Sequence, residues 1–253
     1  MRAAAYQMTV ADCYGTSAVA RVRQQVARCE SLGVDVLCCP EGTVGGLADY
    51  VAPADRLVLP GDADALADAL APIASAAVTT IVGYTERDDA GRLFNAAAVL
   101  HRGAVIGRYR KRHPAIRRSV YTPGSEVPVF TVGPLIFGIL LCRDSTFPDL
   151  ARAMAALGAV ALFIPTNNGL PPDRAHARVA AAARRTDVAL ATELGVSVIR
   201  ADVTGAARGL RSHGSTAIIG PDGRVLAEAW PRESDLIIAE IPTARPPTNA
   251  SHP

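Results

Sequence analysis

The stretch that most restricts how this chain can fold is Leu140 to Leu150, LLCRDSTFPDL, which ends an apolar run on one cysteine, Cys142, and turns polar at Arg143-Asp144. Upstream, Phe137 to Leu141 is short, apolar and preceded by Gly133-Pro134, which predicts a fully buried strand. Downstream, Phe147-Pro148 opens DLARAMAALG, which predicts a helix. Pro148 falls in its first turn, where a missing N–H is tolerated, and Gly158 ends it. A strand, a polar corner and a helix hold the corner residue at the open end of a sheet, where the first amides of the next segment can face an anion. Taken alone, a solitary cysteine at such a place is more often core filling than a nucleophile.

Two other strand ends carry chemistry-bearing residues. Val34 to Gly42, VDVLCCPEG, is an apolar strand ending in Pro-Glu at Glu41, and Gly107 to His113, GRYRKRH, is a basic segment that includes Lys111 and closes a hairpin. Around them, Arg2 to Met8 reads as a first strand. Ser17 to Leu32 places Val19, Val22, Val26 and Cys29 on one helical face, and Gly33 stops that helix. Thr79 to Arg87 and Leu93 to His101 flank the turn sequence RDDAGR and pair as an antiparallel hairpin; Arg102-Gly103 turns into Ala104 to Tyr109. Further strands are expected at 129–132, 135–141, 160–164, 197–201, 215–219, 225–229 and 236–241, and a long Ala-rich helix at 172–193 with Arg and Asp on its outer face. Early βαβ units followed by meanders imply a mixed sheet, so the pattern alone says α/β or α+β. No linker or repeat divides the chain, so residues 1–253 read as one domain, with an aperiodic, extended tail over 243–253.

Composition narrows the function classes. With 49% hydrophobic and 20% charged residues and a net charge of +2, a folded globular protein is expected and nothing points to nucleic acid or a membrane as partner. No apolar run approaches the ~20 residues of a bilayer span, and MRAAAYQMTVADCY turns polar too soon for a signal peptide, so a cytoplasmic location is expected. The five cysteines, without a C-x-x-C pair, argue against a disulfide framework, and adjacent Cys38 and Cys39 should point to opposite faces of a strand. No zinc-type His/Cys spacing is present, and neither a metal nor another cofactor is expected.

Glu41, Lys111 and Cys142, in that order at three strand ends, resemble the Glu-Lys-Cys triad of the nitrilase superfamily of carbon–nitrogen hydrolases. The resemblance runs through AAAYQM, GRLFNAAAVLHRGAVIGRYRKRH, the TPG at 122–124, LLCRDSTFPDLARAMAALGA and HGSTAIIGPDGRVLAEA, nearly the whole chain. It implies a four-layer αββα sandwich, and a homodimer or larger homo-oligomer built through a helical face. It also implies a small-molecule amide substrate cleaved at a non-peptide C–N bond without a cofactor. Under it Cys142 is the nucleophile that forms a thioester, Glu41 the proton shuttle, and Lys111 the oxyanion stabiliser together with the Arg143 backbone N–H. Asn167, Asn168 and Glu193 fall on segments resembling the pocket wall; His113 and His213 read as supporting residues.

One position departs from the family. Where it carries a second glutamate shortly before the TPG turn, this chain has Arg117. A cation there would repel Lys111, turn away, bind a substrate carboxylate, or pair with Asp144, and the third option makes an acidic amide an attractive substrate. The expectation is therefore a hydrolase of linear amides. A nitrile or N-carbamoyl substrate is the nearest alternative, acyl transfer to an amine uses the same thioester, and a catalytically impaired binding or assembly protein is the rival if Arg117 breaks the site.

Overall fold

The structure, a computed structural model, describes residues 1–14, 17–173 and 176–245. Its first half is built from parallel pairing through crossovers. Strand β1 (Arg2–Thr9) leads through helix α1 (Ser17–Ser31) to β2 (Val36–Cys38), a short β3 (Leu59–Pro60) and helix α2 (Ala63–Leu70), and then to β4 (Thr79–Arg87). The expected hairpin follows, β4 with β5 (Leu93–His101), and β6 (Ala104–Arg110) extends it antiparallel. These strands form the path β1-β2-β4-β5-β6 of one sheet.

The second half builds the other sheet. Strands β7 (Val129–Val132) and β8 (Leu135–Ile139), helix α3 (Pro148–Ala156), β9 (Ala161–Pro165), helix α4 (His176–Leu194) and β10 (Ser197–Ala201) succeed one another. The chain then crosses back to the first sheet as β11 (Val203–Ala207) and β12 (Leu210–His213), and returns as β13 (Ala217–Ile219) and β14 (Val225–Glu228). Strand β15 (Asp235–Glu240) closes by pairing antiparallel with β1. Among the described residues the sheets hold nine and six strands, the second in the order β14-β13-β10-β9-β8-β7.

Side-chain alternation explains the layering. Along β1, Ala3 and Ala5 join the core shared with Phe137, Phe163 and Ile199 of the second sheet, whereas Ala4, Tyr6 and Met8 face α1 and α2 through Val22, Val26, Leu66 and Leu70. Cys38 and Cys39 split between the same two cores, as expected of strand neighbours. On the far side of the second sheet, Leu150 and Met154 of α3 and Leu190 and Ala191 of α4 complete the stack. The result is helices, sheet, sheet, helices: the αββα sandwich.

Three sequence expectations are corrected here. The outward Asp of the long helix is wrong for Asp187, which is fully buried and paired with Arg200. The β11–β12 hairpin was not anticipated, because Gly205 and Gly209 interrupt its alternation. Strand β13 starts at Ala217, two residues later than expected. No helix among the described residues is long and apolar enough to cross a membrane. Of the tail, Arg245 donates to Ala155 O and to Ala159 O (3.3 Å) at the end of α3; residues 246–253 lie outside the described residues.

Candidate active site

Three strand ends meet at one cavity of about 790 Å³, whose walls include Glu41, Lys111 and Cys142. Glu41 follows β2 and Pro40, in a loop pressed onto β4 at Gly83. A Cβ at Gly83 would sit 2.5 Å from Pro40 O and 2.8 Å from Glu41 Cα, so only glycine lets the loop lie there. Lys111 directly follows β6: its N–H donates to Asn95 O at 2.8 Å, and its carbonyl accepts from Gly124 N at 2.8 Å. A Cβ on Gly124 would lie 2.3 Å from Arg110 O, which explains the glycine of the TPG sequence.

The Glu41 carboxylate is 1% exposed and faces three donors. Lys111 Nζ donates to Oε1 at 2.5 Å, Asn95 Nδ2 to Oε1 at 2.8 Å, and Asn167 N to Oε2 at 3.1 Å. Burial alone would lower the Lys111 pKa, but the Glu41 charge, aided by Cys142 and Asp144, outweighs it and holds the amine above its ordinary value as ammonium.

Cys142 opens a tight 3-10 turn (Cys142–Thr146) after β8, at φ 45°. For a residue with a side chain this left-handed conformation costs about 1–2 kcal/mol and needs external support. Ser145 Oγ supplies some of it by donating to Cys142 O at 2.8 Å. The thiol points across the cavity to Asn168 Oδ1, 3.8 Å away. Desolvation pushes its pKa up to about 12; Glu41 adds to the rise, while Lys111 and Arg200 pull it down. At neutral pH Cys142 is therefore a thiol, in the same cavity wall as the Glu41 carboxylate.

The remaining expected residues divide. Asp144 is fully buried but works as a tie: it accepts from Tyr109 Oη at 2.8 Å, His113 N at 2.8 Å, Arg112 N at 3.3 Å and His113 Nδ1 at 3.0 Å. His113 stacks on Phe147, centroids 3.6 Å apart, so the pair locks the segment after Lys111 onto the Cys142 turn. Asn167 and Asn168 line the cavity, and Asp202 holds Asn168 through its N and Nδ2, both at 3.0 Å. Arg143 lines the mouth, with its guanidinium on Ala115 O at 2.9 Å. Arg117 is exposed, absent from the cavity wall and in no ion pair among the described residues, and Asp144 has other partners. The acidic-substrate argument from Arg117 loses its basis. Glu193 lies on the surface, held by Arg152 at 2.7 Å, and His213 lines a different cavity.

Two residues escaped the sequence reading. Asn95 sits at a buried position of β5, and a polar residue in the run LFNAAAVLH was the available signal. Arg200, 2% exposed, lines the cavity from beneath; an Arg inside the apolar strand SVIRA could have flagged it. Among the described residues no group of three or more His, Cys, Asp or Glu side chains could hold a metal ion.

A sandwich of this kind, with one cavity at its strand ends lined by a thiol, a carboxylate and an ammonium, falls in the class of carbon–nitrogen hydrolases. Residues 2–246 match the carbon-nitrogen hydrolase family, and the chain belongs to it.

Among curated relatives, a nitrilase of Pyrococcus abyssi is 32% identical over 64% of this chain, a match spanning 58% of that protein's length. An (R)-stereoselective amidase of a Pseudomonas species is 28% identical over 83% of this chain and 74% of its own. Among solved structures, an amidase from a Nesterenkonia species superposes with a TM-score of 0.80 at 23% identity, covering 96% of this chain and 91% of that one.

Proposed function

We propose that the protein hydrolyses a linear amide through a thioester on Cys142, releasing ammonia or an amine. The observation that carries this reading is the Lys111 Nζ to Glu41 Oε1 contact of 2.5 Å, buried in the same cavity wall as the Cys142 thiol. The thiol sulfur attacks the amide carbon as Glu41 takes its proton, and the carbonyl oxygen becomes an oxyanion. Lys111 and the Arg143 N–H, at the free start of the turn, stabilise that charge; losing one such donor typically costs about 2.7–4 kcal/mol. Glu41 passes the proton to the departing nitrogen, the C–N bond breaks, and the acyl group stays on sulfur. Water then attacks the thioester, Glu41 takes a proton from it, and returning that proton to the sulfur frees the acid.

Relatives named N-carbamoylputrescine amidase, 29% identical over 58% of this chain, make an N-carbamoyl substrate the second reading, since the same steps cleave it. The proposal treats residues 1–253 as one catalytic domain that assembles into homodimers or larger oligomers; sedimentation measures the latter. The test of the chemistry is ammonia release from a panel of amides together with intact mass. Turnover lost in Cys142→Ala and an acyl adduct on Cys142 are expected. No release and no adduct across the panel would overturn the reading.

A further inference from the structure

A second cavity, about 680 Å³, opens beside the first and has no part in the chemistry above. Its walls are His176, Ala177 and Arg178 of α4, Gly205 and Ala206 of β11, Arg211, Ser212 and His213 of β12, and Arg232. Three arginines and two histidines line it and, among the described residues, no carboxylate does. Arg178, Arg211 and Arg232 reach solvent and form no ion pair among the described residues. Both ring nitrogens of His176 are shielded from solvent without a hydrogen-bond partner among those residues. Buried polar atoms rarely go unpaired, so an unpartnered imidazole facing unneutralised guanidinium groups marks a place for an anion. The start of α4 adds the positive end of a 19-residue helix.

The two cavities share a wall. Arg178 lines both, while Val179, Ala182, Ala183 and Thr186 of the same helix face the first. Leu170, on the wall of the first, exchanges backbone hydrogen bonds with Arg211 of the second, at 3.0 and 2.8 Å. Arg178, common to both walls, is the point at which a ligand with its amide at Cys142 would enter the basic cavity.

We infer that the cavity of Arg178, Arg211, Arg232 and His176 is the subsite for a carboxylate at the far end of the substrate, selecting amides that carry a remote negative charge. The inference rests on the amide hydrolysis proposed above, but on residues that take no part in the bond-breaking steps. It is also independent of Arg117, which lies outside both cavities.

The experiment compares glutaramate, an amide with a terminal carboxylate, with its neutral counterpart glutaramide, and extends to shorter and longer acids of the same series. The expected result is a kcat/KM at least tenfold higher for the acid at the best chain length, carried by KM and weakened by salt. The double variant Arg211→Ala/Arg232→Ala should remove most of that preference, and Arg211→Lys/Arg232→Lys should restore part of it. Equal kcat/KM for acid and diamide in the unmodified protein, or a preference untouched by the double variant, would overturn the subsite.

Binding to Cys142→Ala protein, read by calorimetry, separates this inference from the hydrolysis. Glutaramate bound by Cys142→Ala and lost when the two arginines are also removed supports the subsite even if no turnover is found; no binding overturns it. Inorganic phosphate that competes with glutaramate supports a shared anion site. Phosphate binding without competition would assign the cavity to a separate anion and overturn the substrate-tail assignment.

Discussion

Arg200 and Asp187, thirteen residues apart on β10 and α4, form an enclosed ion pair directly beneath the Cys142–Thr146 turn: Nε donates to Asp187 Oδ2 at 2.7 Å and Nη2 to Oδ1 at 2.5 Å. The guanidinium then reaches in two directions. Nη2 donates to Ser145 Oγ at 3.1 Å, which holds Cys142 O, and Nη1 donates to Thr166 Oγ1 at 2.6 Å. Thr166 O accepts the Glu41 N–H at 3.3 Å, so one buried cation braces the walls that carry both the thiol and the carboxylate.

Removing one member of that pair leaves an uncompensated buried charge. Asp187→Asn and Arg200→Met should each destabilise the fold by about 3–5 kcal/mol, measured by urea unfolding. The double variant Arg200→Met/Asp187→Leu should recover much of that loss. Its kcat should still fall, because Ser145 Oγ and Thr166 Oγ1 then lose the Arg200 donors that tie the two walls together. Recovery of both stability and kcat would reduce Arg200 to a structural residue.

Glu41→Gln keeps the shape of the side chain and removes the proton acceptor. Turnover should drop roughly 10²–10⁴-fold with a smaller change in KM, read by ammonia release. Lys111→Met should cost a comparable amount and also stability, since it strands the Glu41 carboxylate at 1% exposure without its charged partner.

The Cys142 thiol, pushed up to about 12, stays protonated through neutral pH. Alkylation by uncharged iodoacetamide should keep rising with pH well past the ~8.5 midpoint of a free cysteine. Arg200→Met takes away a cation that pulls the pKa down and should shift the profile further to the alkaline side. A midpoint near ~8.5 would show that the thiol is not desolvated as described.

Alkaline stability follows from the core cysteines. Burial raises the thiols of Cys13, Cys38 and Cys39 above their ordinary 9.0. A group whose folded pKa is raised contributes stability that is full below its unfolded pKa and is lost as pH climbs towards the folded one. The unfolded chain ionises these thiols above pH 9 and the folded chain does not, a difference of about 1.4 kcal/mol per thiol at pH 10. Urea midpoints should fall between pH 8.5 and 10.5, and less so when Cys13 and Cys38 are replaced by Ala and referenced to each variant's own stability at pH 7.

Local sequence by itself determined much of the architecture. Turn residues between two apolar, strand-like runs fix the β4–β5 hairpin, and a 3.6-residue period fixes α1, because both signals depend only on neighbours in the chain. The strand-end positions of Glu41, Lys111 and Cys142 were legible for the same reason, through their resemblance to a known motif set. What the sequence left open was which polar side chains inside those elements face inward and which turn out. Arg117, in a polar loop, stands in solvent, while Asp187 and Arg200, equally polar by composition, are sealed together.

That division arises because burying a charge is tolerable only beside a specific partner, and the partner comes from another element. Only the tertiary structure brings α4 against β10 to neutralise Arg200, and gathers Arg178, Arg211 and Arg232, in no ion pair among the described residues, around a cavity. Long-range contacts of this kind have no periodicity in the chain.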